Sequence, residues 1–210
     1  NGECLVFFGL DAQLHPDMIE PDKAMLDAIA PDNPIAIQTS NCHAVYLNSA
    51  ALELCQLNRN TPDKPGGIII RDGSGMPTGK VMEATTWDVL DIFYEVWGQI
   101  RLDKELKNSA DKFLQEGITT VTEHLYLPYY KAYYLSALIQ GHVLPRIAVY
   151  QQATDPDMKV DKIENLPNQI WMAGVKMHAD GSPFIGNIWL SEPYLESEIT
   201  IERMHLKPGH

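Results

Sequence analysis

The sequence predicts an α/β protein in two parts: a small α+β unit over residues 1–85, then an arc of a parallel βα array over residues 86–210. Three observations carry that reading. The turn Asp72-Gly73-Ser74-Gly75 lies between two extended runs, and Gly and Asp supply the positive φ values a hairpin needs. After Glu83 the texture changes to helical-period stretches alternating with β-branched ones, the rhythm of parallel strands joined by helices. About three such strands follow, against the eight of a closed (β/α) barrel, so the second part reads as a partial TIM barrel.

Element by element, residues 3–8 (ECLVFF) read as a short buried strand. Pro21 opens a helix carrying Met25, Leu26 and Ile29 on one side, and Pro31-Asp32-Asn33-Pro34 stops it. Residues 34–38 are a strand, and Asn48 or Ser49 caps a helix through Cys55. Residues 60–66 are a loop, and residues 67–71 and 78–83 form the hairpin. Trp87, Leu90, Phe93, Val96 and Trp97 recur at helical spacing, as do Leu102, Leu106, Ala110, Phe113 and Leu114, until Gly117 closes the helix. Residues 118–122 read as a strand, 129–140 as a helix closed by Gly141, and 144–150 as a strand. Residues 155–169 read as a polar helix or loop, and 171–179 as a strand.

Composition narrows the function classes. With 16 basic and 28 acidic residues the formal charge is −12, which disfavours a nucleic-acid partner. No apolar run approaches the ~20 residues that span a bilayer, so no membrane partner is expected. Three cysteines, with no CxxC pair, point to reduced thiols and a cytoplasmic setting. The chain starts Asn1-Gly2 without an initiator Met, which suggests a removed leader or a piece of a longer chain.

Three segments carry ionisable groups in patterns that chemistry uses. In Gly174-Val-Lys-Met-His-Ala-Asp-Gly-Ser182, strand alternation would put Lys176, His178 and Asp180 on one face. The segment is either an edge strand with a solvated face or the C-terminal mouth of a barrel strand, where barrel active sites lie. A lysine there, carbamylated by CO₂, would be an anionic ligand bridging two metal ions. In residues 117–124, Glu123 ends a β-branched strand and reads as a site carboxylate or as a cap or loop carboxylate, while His124 faces the other way in a packing role. His43, in His43-Ala-Val-Tyr-Leu-Asn-Ser49, is either a substrate-facing group or a structurally satisfied histidine. Cys42 beside it points away on an extended chain, so a thiol–imidazole pair is not expected.

Taken in order, His43-xxxx-Asn48-Ser49-xx-Leu52, Pro65-Gly66-Gly67, Asp72-Gly73-xx-Met76-Pro77-Thr78-Gly79, Gly117-Ile118-Thr119-Thr120-Val121, Val175-Lys176-xx-Ala179-Asp180-Gly181-Ser182 and Glu192-Pro193-Tyr194 resemble amidohydrolase family 3. This is the group of metal-dependent hydrolases that includes N-substituted formamide deformylases. The resemblance implies a metal-dependent hydrolase (β/α) barrel, with residues 1–85 as an α+β insertion domain and 86–210 as barrel strands two to four. It implies cleavage of a non-peptide carbon–nitrogen bond in a small amide-type substrate by metal-activated water, with one or two divalent ions, zinc first. Lys176 matches the family's bridging lysine, while His178 stands where relatives carry an apolar residue and is a weaker metal candidate. His43, Glu123 and Asp180 are the catalytic candidates. Gly181, Ser182 and Trp189 are the substrate-binding candidates, with Trp189 and Tyr194 as wall or core.

The resemblance also implies that the family's His-x-His pair precedes Asn1 and that further ligands follow His210. The chain alone is therefore expected to hold no metal, to keep Lys176 unmodified, and to be inactive. Open sheet edges lead to an expectation of self-association. The alternative function is a non-catalytic α/β module that binds a small molecule. A redox role would require Cys42 to titrate well below the usual ~8.5.

Overall fold

A computed structural model describes residues 2–10, 15, 18–153, 157–163, 169–183 and 188–195. In chain order the elements are β1 (Leu5–Leu10), α1 (Lys23–Ile29), β2 (Ile35–Thr39), β3 (Ala44–Leu47), α2 (Ser49–Leu54), β4 (Gly67–Arg71), β5 (Pro77–Glu83), α3 (Ala84–Gln115), β6 (Thr120–Tyr126), α4 (Tyr130–Ile139), β7 (Arg146–Gln152) and β8 (Ile170–Lys176). The chain divides into two compact units, Asn1–Val96 with Asp180–His210, and Trp97–Ala179. Gly98, at φ 68° and ψ 172°, interrupts α3 next to that division.

The first unit is built on a five-stranded sheet in the order β1-β2-β3-β5-β4. Only β1 and β2 are parallel; the other pairs are antiparallel, including the β4–β5 hairpin around residues 72–75. Leu26, Ile35 and Tyr46 form a core beneath α1. Asn48 is fully buried and uses both ends of its amide. Its Oδ1 accepts from the backbone N–H of Ala51, capping α2, and from that of Ile35. Its Nδ2 donates to the carbonyls of Ala30 and Asn33. One side chain thus ties the end of α1, the start of β2 and the start of α2 together. Gly79 has φ 107°, and a Cβ there would stand 2.4 Å from the Leu47 carbonyl oxygen, so β5 can approach β3 only with glycine at this position. Lys80, 7% exposed, is held by Glu20 at 2.9 Å and lies over the Tyr46 ring. Burial, with Glu20 adding to it, pushes the Tyr46 phenol well above its ordinary range.

The second unit is a parallel sheet in the order β6-β7-β8. Tyr126, Ile147, Val149 and Ile170 pack with Tyr134 of α4 and Leu106 of α3. The alternate side chains Thr120, Thr122 and His124 of β6, and Trp171, Ala173 and Val175 of β8, are exposed. Parallel sheets are ordinarily covered on both faces. Both helices end as their glycines predict. Gly117 at φ 76° and Gly141 at φ 79° are followed by Ile118 N–H on Phe113 O and His142 N–H on Ala137 O, the 6→1 bond of a Schellman close.

The structure corrects several sequence expectations. The first strand is residues 5–10, and Phe7 and Phe8 are 53% and 66% exposed, because β1 is an edge strand with a single neighbour. The first helix begins at Lys23, capped by the Asp22 carboxylate on Met25 N–H, and it buries only Leu26; Met25 and Ile29 are exposed because two turns offer the sheet one narrow stripe. The Schellman close uses Ile118, so β6 starts at Thr120 and runs to Tyr126, leaving Glu123 in mid-strand. Pairing with β7 stops at Gln152 opposite Lys176, so β8 ends there and the alternation expected to align Lys176, His178 and Asp180 does not exist. Residues 157–163 carry no regular structure, and most of the rest of the polar 155–169 stretch lies outside the described residues.

Replacing Asn48 with alanine strands two amide N–H donors' acceptors and two backbone donors in the core. The expected loss is about 2–4 kcal/mol, read as a lower urea midpoint. Ser49→Ala, at an exposed contact with Asp27, is expected to cost under about 1 kcal/mol. Equal losses for the two variants would refute the role given to Asn48.

Candidate functional site

The turn between β2 and β3 presents His43. Thr39 and Asn41 build it: Thr39 Oγ1 donates to Asn41 Oδ1, which also accepts the His43 N–H at 2.9 Å. The turn forces Cys42 to φ 66°. The β3–β5 ladder then continues past its last paired strand residues, with Glu83 N–H donating to His43 O at 3.0 Å. That register brings the Glu83 side chain to His43. Glu83 Oε2 lies 2.7 Å from His43 Nδ1. Glu83 Oε1 accepts the backbone N–H of Ser182 at 3.2 Å. Glu83 itself has φ 54°, and Thr86 Oγ1 donates to its carbonyl.

Side-chain exposures are 27% for His43 and 12% for Glu83, and Ser182 is buried. The first unit thus assembles an imidazole, a carboxylate and a backbone N–H from three separate stretches of chain. Asp180 Oδ2 accepts the Trp189 N–H at 3.0 Å, which shapes the loop that carries Gly181 and Ser182. Trp189 is 91% exposed, and the Tyr194 hydroxyl is buried with no hydrogen-bond partner among the described residues.

In the second unit Lys176 is the last residue of β8 and is half-buried; among the described residues no carboxylate pairs with it. The Gln152 amide donates to Ala153 O and stands 3.3 Å from His178 Nδ1. Since Ala153 O can only accept, the amide NH₂ is on that side and Nδ1 of His178 accepts from it. In the neutral ring that arrangement leaves the proton on Nε2.

Glu123 lies on the helix side of β6, where its Oε1 accepts the Leu125 N–H at 2.7 Å. It lines a cavity of about 250 Å³ with Leu106, Phe113, Val121, Tyr134 and Ile147. Burial pushes the Tyr134 phenol up, and the Glu123 charge adds to this. His124, on the open face, packs edge-on to Tyr150 at 4.9 Å. The side chain on the uncovered face is therefore the histidine and not the carboxylate.

Among the described residues no three His, Cys, Asp or Glu side chains converge as a metal site. Lys176 is at most one contributor, so the described residues do not by themselves fit a metal centre. The residue missed by sequence reading is Glu83. Its signal is a carboxylate closing the hairpin strand, but its partnership with His43 depends on β3 lying next to β5, which no local pattern reveals.

The family model described as the amidohydrolase family matches residues 2–207. A putative amidohydrolase, YtcJ, of Bacillus subtilis strain 168 is 29% identical over 185 residues, covering 83% of this chain and 34% of the relative. An N-substituted formamide deformylase of Arthrobacter pascens is 47% identical over 64 residues, covering 30% of this chain and 12% of the relative. The chain thus spans about a third or less of the length of these relatives. Among solved structures, an uncharacterised metal-dependent hydrolase of Pyrococcus horikoshii OT3 superposes with TM-score 0.52 at 19% identity, covering 98% of this chain and 42% of that one. That likeness establishes a shared mixed α/β fold with a parallel sheet.

Burial, with Cys4 adding to it, pushes the Cys55 thiol up to about 12. Iodoacetamide is expected to label Cys42 in the folded chain and to reach Cys4 and Cys55 only on unfolding, as mass spectrometry of the digested protein would show. Labelling of Cys55 at the Cys42 rate would contradict the buried placement.

Proposed function

Because the chain belongs to the amidohydrolase family, we propose that the protein hydrolyses a non-peptide carbon–nitrogen bond of a small amide-type substrate. The family match over residues 2–207 carries this reading, since it takes in every segment that holds a candidate residue. The relative that acts on N-substituted formamides supports an amide over an ester. On this reading the second unit is part of a (β/α) barrel and the first unit an insertion domain. In the complete protein a divalent metal, zinc by the preference of imidazole-rich sites, would activate water and polarise the carbonyl. Lys176, as a carbamate, is the one ligand that these residues would offer it.

What the chain's own residues contribute is positioning. His43 offers a polar atom on an otherwise pinned turn, Glu83 fixes its ring, and the Ser182 N–H fixes the carboxylate. Gly181 and Ser182 shape the pocket wall beside it. The exposed face of β6–β8 is proposed to be covered by further barrel strands or by a second copy of the chain. Nucleic acid is not proposed as a partner at a charge of −12, and among the described residues no helix is long and apolar enough to cross a membrane.

The test uses the protein expressed from its complete gene with a panel of N-substituted formamides and simple amides. Turnover is expected, lost on chelation and restored by zinc. His43→Ala is expected to lower kcat/KM by about 10²-fold or more, and Lys176→Met to abolish metal retention. A protein that binds no metal and releases no amine from any member of the panel would refute the proposal.

A further inference from the structure

We propose that Glu83 is a positioning residue that locks His43 in the Nδ1–H tautomer, so that its bare Nε2 receives a hydrogen-bond donor of the ligand. The ligand class at this position is then a secondary amide presenting N–H, and not a tertiary amide. The word amide rests on the hydrolase reading; the tautomer and the donor requirement do not.

An ionised carboxylate only accepts hydrogen bonds, so at 2.7 Å the proton between Glu83 Oε2 and His43 lies on Nδ1. A neutral imidazole has one N–H and one acceptor, so Nε2 carries none. No described residue hydrogen-bonds Nε2, and the side chain is 27% exposed. The partly exposed ring therefore carries an acceptor that no described residue uses, on a turn held by hydrogen bonds. His43 N–H is held by Asn41, His43 O by Glu83 N–H, and the second carboxylate oxygen of Glu83 by Ser182 N–H.

The backbone supplies a second, independent observation. Among the described residues three non-glycines have positive φ, and two of them are Cys42, next to His43, and Glu83 itself. Such residues are strained, and such strain persists where surrounding structure over-determines it. Here it brings the carboxylate onto the ring. An acceptor at Nε2 also decides against one role open to this histidine: in its neutral form it cannot donate to a developing oxyanion. It takes a donor, as the N–H beside a carbonyl provides.

Long-range ¹H–¹⁵N NMR on the ¹⁵N-labelled 210-residue chain in mildly alkaline solution tests this, with His43 assigned by loss of its signals in His43→Gln. The expected pattern is a single protonated Nδ1 and bare Nε2. In Glu83→Gln, checked for folding by its amide spectrum, that pattern is expected to collapse to averaged signals, and Glu83→Asp to retain part of it. The wild-type measurement stands even if a variant fails to fold. N-methylformamide is then added as probe, with N,N-dimethylformamide as the control that lacks N–H. A shift of the His43 Nε2 resonance with the first and none with the second is expected. A protonated Nε2 in the wild type overturns the positioning role; an equal response to both probes, or to neither, overturns the ligand class. No readout involves turnover, so a protein without amidohydrolase activity would leave these results unaffected.

Discussion

The contact between His43 and Glu83 is the constraint on which the candidate site of the first unit depends. It exists only if β3 and β5 are neighbours in the register that sets Ala44 against Met82, and that register needs the hairpin, the glycine at position 79 and the tight turn at 39–43. Two left-handed non-glycine residues are part of its cost. The same carboxylate then captures Ser182 from a segment about a hundred residues further along, so the loop proposed to shape the pocket is fixed to the residue that fixes the imidazole. A carboxylate that holds both oxygens in use is a rigid support, and rigid support is what a site needs if its polar atom is to meet a ligand in one geometry.

Much of the fold was legible because it is written in local chemistry. Asn48 announces a helix start, and its amide does cap α2; Gly117 and Gly141 announce helix ends, and both take positive φ in Schellman closes. The Asp72–Gly75 turn announces a hairpin, and β4 pairs with β5 around it. What was not legible depends on neighbours distant in sequence. Phe7 and Phe8 look like core residues until β1 proves to be an edge strand. The run after Lys176 looks like strand until its partner β7 ends. Asn48's bonds to Ala30, Asn33 and Ile35 could not be read either, because a side chain that satisfies four backbone groups does so only in three dimensions.

The candidate site divides along the same line. His43 and Ser182 stood out in the sequence, and the structure brings both to Glu83, which did not. Lys176 lies at the C-terminal end of a parallel strand, where sequence reading put it, whereas His178 and Asp180 leave that strand and turn to Gln152 and Trp189. Glu123 and His124 exchange the faces a simple reading would favour: the carboxylate sits on the helix side and binds a neighbouring backbone N–H, while the histidine stands on the uncovered face. Strand parity alone fixes that two adjacent residues diverge, not which of them the helices cover.

The most direct test of the account is a crystal structure of the protein from its complete gene with a secondary-amide substrate analogue bound. The account predicts His43 Nε2 at about 3 Å from the amide nitrogen, with Glu83 still on Nδ1. An analogue bound with His43 turned away from it, or with Glu83 parted from Nδ1, would contradict it.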